Sequence, residues 1–296
     1  LTKFLLFVQH GWADTSEGMA YCAKLLGVEE AIAPNLGWWR TWWRMAPLID
    51  KVEAVAKQQL QLYPDRPWRI IGHSMGGLIW LEILHRFPQW HDRVESLVLL
   101  GSPVGGAELG QILDPFQWAI GGDLAVNRRA LAEAIAQKIP TLSLSGDLGD
   151  GSDGVVTIGS TQFNYAQCQT FPQIFHPDLR FDGRIIEAIQ AFWRSPTITQ
   201  PSDGLQQKMI DYLRAIPGIM DGTYRDFRRA KLFLQFQEGL ILKQWRNPIG
   251  FHHIYLGNSQ EQCFYSGYVN WSNYNNFHRS IAAIPYRFSA YLSAEK

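Results

Sequence analysis

The segment Gly72-His-Ser-Met-Gly-Gly77 carries the residue types best suited to chemistry in this chain. It follows the apolar run Trp68-Arg-Ile-Ile71 and opens a helix-compatible stretch that begins at Leu78. A serine in so tight a strand-to-helix turn must take a strained backbone, which demands residues without side chains at Gly72 and Gly76. The turn lifts the Ser74 hydroxyl into the open and aims a helix amino-terminus at it. That placement suits attack on a carbonyl carbon. The attack creates an oxyanion, which needs converging N–H donors. The backbone N–H of Met75, directly after the serine, is one. Val8-Gln-His-Gly-Trp12 follows an earlier apolar run and is placed to offer the second, the N–H of Trp12. Gly11 lets that backbone turn inward, and His10 reads as a residue that holds the loop by hydrogen bonds and takes no part in proton transfer.

The elements that must position these residues alternate in type. Leu5-Leu-Phe-Val8, Ile70-Ile71, Leu97 to Leu100 and Leu142 to Ser145 are short apolar runs, each closely followed by a glycine. Such runs read as strands buried on both faces. Met19 to Leu26, Leu48 to Leu62 and Leu78 to Phe87 read as helices between them, the last stopped by Pro88. Alternation of this kind predicts an α/β fold, a mostly parallel sheet flanked by helices. In such sheets, sites form beyond the carboxyl ends of the strands. The serine turn and the His10-Gly11 loop both fall there.

Composition bounds the rest. The 296 residues are 46% hydrophobic and 18% charged, which excludes a disordered chain. No apolar run approaches the roughly 18–20 residues of a membrane-spanning helix. A formal charge of zero argues against nucleic acid as a partner. Three widely spaced cysteines make a disulfide framework unexpected and fit a reducing, cytoplasmic setting. The first residue is Leu1, so a trimmed start or an absent leader is expected. The neutral total hides an asymmetry. Residues 1–195 hold 16 Lys+Arg against 20 Asp+Glu, whereas residues 196–296 hold 11 against 7. The shift coincides with a Pro-, Ser- and Thr-rich stretch, which reads as a linker at 195–204. The expected division is therefore 1–194, then the linker, then an extension at 205–296. Within that extension Leu205 to Ile216 and Tyr224 to Trp245 read as helical, the second bearing Arg225, Arg228, Arg229 and Lys231. An aromatic, Asn-rich stretch from Phe251 to Tyr291 follows.

His10-Gly11-Trp12, the Gly72–Gly77 turn, Leu99-Leu-Gly-Ser-Pro103, Ser152-Asp-Gly-Val-Val156 and a later histidine occur in an order that resembles the α/β-hydrolases. The likeness is to short bacterial lipases and esterases that begin near the third strand of the full fold, and it covers residues 1 to about 194. It implies a Ser–Asp–His triad, with neither metal nor organic cofactor. Asp147, Asp150 and Asp153 crowd one loop, at intervals that do not match a calcium loop. Asp153, followed by Gly-Val-Val, is similar to the family's acid; Asp150 is the alternative. His176 is the only histidine between that loop and the linker and takes the place of the family's base. His85 and His91 come too early, and His252, His253 and His278 lie beyond the linker.

The resemblance implies cleavage of carboxylic esters through an acyl-enzyme. Acyl transfer or thioester hydrolysis by the same triad is an alternative, and so is a non-catalytic binding or scaffold role on the same fold. An insertion at about 107–139, where relatives carry a lid, holds Leu109, Ile112, Leu113, Phe116, Trp118 and Ile120, apolar enough to line an acyl site. Trp38-Trp-Arg-Thr-Trp-Trp-Arg44 places tryptophan beside arginine, a pairing suited to a lipid surface. Trp38 and Trp42, like Trp39 and Trp43, share a face if helical, so one pair is expected to pack inward and the other to meet solvent. An ester or lipid substrate and peripheral membrane contact are expected, with no protein partner.

Overall fold

The apolar runs of the first half pair as a five-stranded parallel sheet in the order β1 (Leu5–Gln9), β2 (Trp68–His73), β3 (Val94–Leu100), β4 (Thr141–Asp147) and β5 (Ala166–Pro172). A computed structural model describes residues 3–107 and 120–293. The chain divides into two units, Leu1–Leu148 with Ser152–Pro201, and Gly149–Gly151 with Ser202–Lys296.

Side chains of β1 alternate between two cores. Leu5 and Phe7 enter one, and Leu6 and Val8 the other. β3 does the same, with Leu97 and Leu99 opposite Val98 and Leu100. The first core is closed by α2 (Ala46–Leu62) and α3 (Met75–Arg86), the second by α1 (Ser16–Leu25) and a helix at Gly183–Arg194. Phe7, Trp68 and Trp80 meet edge to face with ring centroids 5.0 Å apart for each Phe7 pair, and all are fully buried. Each such side chain contributes roughly 1.5–3 kcal/mol by leaving water, so both faces resist register change. Ile32 makes a single parallel bridge to Phe7 outside β1, a rudimentary further strand.

One strand carries no apolar run to mark it, and one expected helix is absent. β5 carries no long apolar run, because it is an edge strand whose Gln167 and Cys168 face solvent, so hydrophobicity did not mark it. Of the stretch 107–139, the described part is largely helical. After α4 (Ile120–Ala125), which buries Ile120, α5 (Arg129–Ala136) sets Ala132 and Ile135 into the first core and is a core helix. Leu109, Ile112, Leu113, Phe116 and Trp118 lie outside the described residues. A short α6 (Ile158–Thr161) precedes β5, and α7 (Gly183–Arg194) completes the unit, capped by the Asp182 carboxylate accepting from the Arg184 N–H.

In the second unit, α8 (Leu205–Arg214) precedes an antiparallel sheet ordered β6 (Met220–Asp221), β10 (Cys263–Val269), β9 (His252–Asn258), β8 (Leu240–Arg246) and β7 (Lys231–Gln235). α8 and α9 (Tyr274–Arg287) share a core with Leu242, Ile254, Leu256 and Val269 on one sheet face. Ile241 and Tyr255 point to the other face with Phe227. Tyr224 to Trp245 is therefore not a helix. Turns through 229 are followed by a hairpin, whose Glu238 and Gly239 both take positive φ, at 60° and 72°. That backbone turns two strands back on each other. Among the described residues no helix is long and apolar enough to cross a membrane.

Candidate active site

All the strand ends that matter open on one edge of the parallel sheet. β2 runs into Ser74, which stands between it and α3 with φ 55° and ψ −125°. A non-glycine residue held there costs about 1–3 kcal/mol, so the surroundings must enforce it. The Ser74 N–H donates to Leu100 O at 2.8 Å, tying the turn to the end of β3. Any side chain at Gly72 would strike the backbone of Gly77, and one at Gly76 would strike the carbonyl of Gln9. The turn can be this tight only with both glycines in place.

Beside it lies the loop after β1. A Cβ on Gly11 would fall 2.8 Å from Ser74 Cβ and 3.2 Å from the Met75 nitrogen, so the loop rests directly on the serine turn. The N–H groups of Met75, first residue of α3, and Trp12 have no hydrogen-bond partner among the described residues. His10 is buried and braces the loop, its Nδ1–H donating to Gly11 O (3.1 Å) and its Nε2 accepting from the Leu36 N–H (3.0 Å). Burial pulls its pKa below the usual imidazole range, which keeps it neutral.

Asp153 and His176 come together across the ends of β4 and β5. His176 Nδ1 donates to Asp153 Oδ2 at 2.6 Å, and both side chains are buried. Asp153 Oδ1 accepts from the N–H groups of Val155 (3.0 Å) and Val156 (2.7 Å), so each carboxylate oxygen of this nearly inaccessible group is satisfied. The His176 N–H donates to the Asp153 carbonyl at 2.9 Å, fixing the backbones as well. The His176 ring lies against Gly101, where an added Cβ would meet Cε1 and Nδ1 at 2.9 Å. Gly101 is next to Leu100, the residue that accepts from Ser74. Asp150 groups instead with the second unit, its carbonyl accepting from the Tyr224 N–H. His91 is instead bound to the Leu84 carbonyl at 2.9 Å, and His85 is exposed.

Hydrophobic patterning does not reveal the braces. His73, hidden in the turn motif, donates from Nε2 to the His176 carbonyl at 3.0 Å and meets the His176 ring at 4.7 Å with the planes tilted by 41°. Burial, then the neighbouring His176, holds it well below the usual imidazole range. Arg180 pairs with Asp14 at 2.5 Å, linking the 3-10 turn His176–Arg180 to the end of the β1 loop. Thr41 accepts from the Ala13 N–H at 3.0 Å, and Trp38 Nε1 donates to Ala13 O at 2.9 Å. The sole hint of His73 is its position between Gly72 and the serine.

Residues 29–151 match the family model described as the alpha/beta hydrolase fold. Lipase BlEst2 of Bacillus licheniformis in its propeptide form superposes with a TM-score of 0.52 at 15% identity, over 84% of this chain and 58% of that one. The first unit has the α/β-hydrolase fold. The mature form of the same lipase aligns with 66% of this chain at 18% identity, covering 92% of that lipase with a TM-score of 0.49. A thioesterase of the prodiginine pathway in Streptomyces coelicolor covers 66% at 17% identity and is itself covered over 91%, with a TM-score of 0.42. At such identities the likeness is one of fold. No curated protein sequence matches the chain. Among the described residues of this hydrolase-fold chain, no three His, Cys, Asp or Glu side chains are grouped as a metal site.

Proposed function

We propose that this chain is a serine hydrolase that cleaves carboxylic esters of acyl lipids through a covalent acyl-enzyme, and that it meets them at a lipid surface. The observation that carries the reading is the 2.6 Å contact between His176 and Asp153 beside a serine of strained backbone. Because Nδ1 donates to the carboxylate, the lone pair of the neutral imidazole is at Nε2, the atom that takes the Ser74 proton. Ser74 Oγ adds to the ester carbonyl, and the N–H groups of Met75 and Trp12 hold the oxyanion. His176 then gives its proton to the departing alkoxide. Water, deprotonated by the same nitrogen, adds to the acyl carbonyl, and release of the acid restores the serine. Asp153 orients the ring and stabilises the imidazolium.

A series of esters and glycerolipids of graded acyl length, with product analysis, tests this reading. Free fatty acid from long-chain glycerolipids is the expected product. Preferred transfer of the acyl group to an added alcohol, or preference for thioesters, moves the assignment to an acyltransferase or thioesterase. Absence of fluorophosphonate labelling at Ser74 refutes the enzymatic reading and leaves a binding role.

A further inference from the structure

Four of the chain's 12 tryptophans stand within residues 38–43, and their environments differ. Trp38 and Trp42 touch each other at 5.5 Å, and Trp42 packs edge-on against Trp12 at 4.6 Å. Trp38 also spends its indole N–H on Ala13. Trp39 and Trp43 are 77% and 71% exposed, among the barest large apolar side chains described. The segment Trp38–Trp42 is a 3-10 turn with only Thr41 buried, so its outward residues serve no core. Two bare indoles cost solubility, and monomeric soluble proteins keep such patches small unless something covers them.

Cations surround them. Arg40, Arg44 and Lys51 help line an adjoining groove of about 770 Å³ together with Leu36, Pro47 and Leu48. Arg40 and Arg44 are exposed; Arg44 reaches Asp123 only at 3.7 Å, and Asp50 at the same groove is already engaged by Arg86 at 2.9 Å. Indole rings settle at the headgroup level of a bilayer, and neighbouring guanidinium groups pair with phosphate there. An apolar slot bordered by cations matches the two halves of an anionic phospholipid.

We propose that Trp39 and Trp43, with Arg40, Arg44 and Lys51, form a docking surface for anionic phospholipid bilayers. Its biological sense rests on the reading of the chain as a lipid-ester hydrolase, although its geometry does not. Thr41 and Trp38 of the same turn hold Ala13, so docking seats the lipid surface beside the loop that carries the Trp12 N–H. The inserting pair is thus Trp39 and Trp43, while Trp38 and Trp42 fasten the turn.

Sedimentation with vesicles of phosphatidylcholine, with and without a third of phosphatidylglycerol, tests the surface. Full-length Ser74→Ala protein is used so that no lipid is consumed. Binding is expected to favour the anionic vesicles by about fivefold per engaged cation and to weaken as salt rises. Arg40→Gln/Arg44→Gln should lose about 25-fold on anionic vesicles only. Trp39→Ala/Trp43→Ala should lose at least that on both compositions, whereas Trp271→Ala, a control at a 67% exposed tryptophan of the second unit, should bind as the parent does. Equal binding by the parent and both double variants overturns the proposal, as does failure of the parent to bind anionic vesicles. Loss confined to Trp271→Ala overturns it too, by putting the contact elsewhere. Wild-type turnover of a soluble short-chain ester is read separately, so a missing activity refutes the hydrolase reading and leaves the vesicle result standing.

Discussion

The two units bury polar residues in different places. In the first, His10, His73, Asp153 and His176 are all buried, and all lie at or just beyond the carboxyl ends of parallel strands. In the second, the half-buried His253 sits within β9, stacked between Tyr255 (6.0 Å) and Tyr268 (5.4 Å) on the face of an antiparallel sheet. Parallel strands send every carboxyl end to one edge, so five loops converge there and polar groups can meet. Antiparallel strands alternate their ends and distribute their loops to both edges. The buried histidines and Asp153 of the first unit are a convergence; the half-buried His253 of the second is a local packing solution.

Substitutions at the convergence should have the largest effects. Ser74→Ala is expected to lose on the order of 10⁴-fold or more in kcat, measured on a soluble ester. His176→Ala should come close, and Asp153→Asn should cost somewhat less, as an orienting group does. If Asp150→Asn is the more harmful acid variant, the acid is misassigned. A brace is the next test. His73→Phe keeps a ring against His176 but removes the bond to its carbonyl, and about tenfold to 10²-fold should be lost from kcat with KM little changed, because a small misplacement is costly. A loss in KM alone would make His73 a residue of the substrate pocket.

The second unit should respond in stability. Burial lowers the pKa of folded His253 to about 4, below its ordinary 6.5, against a raising influence of Asp226. As pH falls through 6.5 the unfolded chain takes up a proton that the folded chain refuses, so this contribution is complete above pH 6.5 and is lost toward pH 4. His253→Phe should therefore flatten the acid limb of a denaturation series between those values, and an unchanged limb breaks the contrast. The smallest effect concerns Cys22 and Cys263, whose thiols burial pushes up to about 12. Neither should react measurably with iodoacetamide at pH 8 in the folded protein. Rapid mass-detected alkylation of either would show that its core opens.

Local chemistry made much of the first unit legible. Apolar runs as short as Leu5 to Val8, ended by glycine, can satisfy both faces only inside a covered sheet, and Gly72-His-Ser-Met-Gly can be accommodated only as a tight turn. β5 escaped because an edge strand needs no apolar alternation on its open side. The stretch from Tyr224 to Trp245 misled because its basic residues and leucines fit helical spacing, whereas the Glu238-Gly239 turn let them pair as strands. Propensity is a weak prior there, and tertiary pairing overrides it.

By themselves, then, the residues determined the strand ends, the serine turn and the Gly11 loop, because each is a response to sterics or burial over a few neighbours. Tertiary structure alone decided that Asp153 rather than Asp150 meets His176, and that His73 holds the His176 carbonyl. It alone paired Asp14 with Arg180 across 166 residues and turned Trp39 and Trp43 outward. Such contacts join segments whose separation in sequence carries no local energetic trace. Their partners are chosen by which strand ends the sheet brings to one edge.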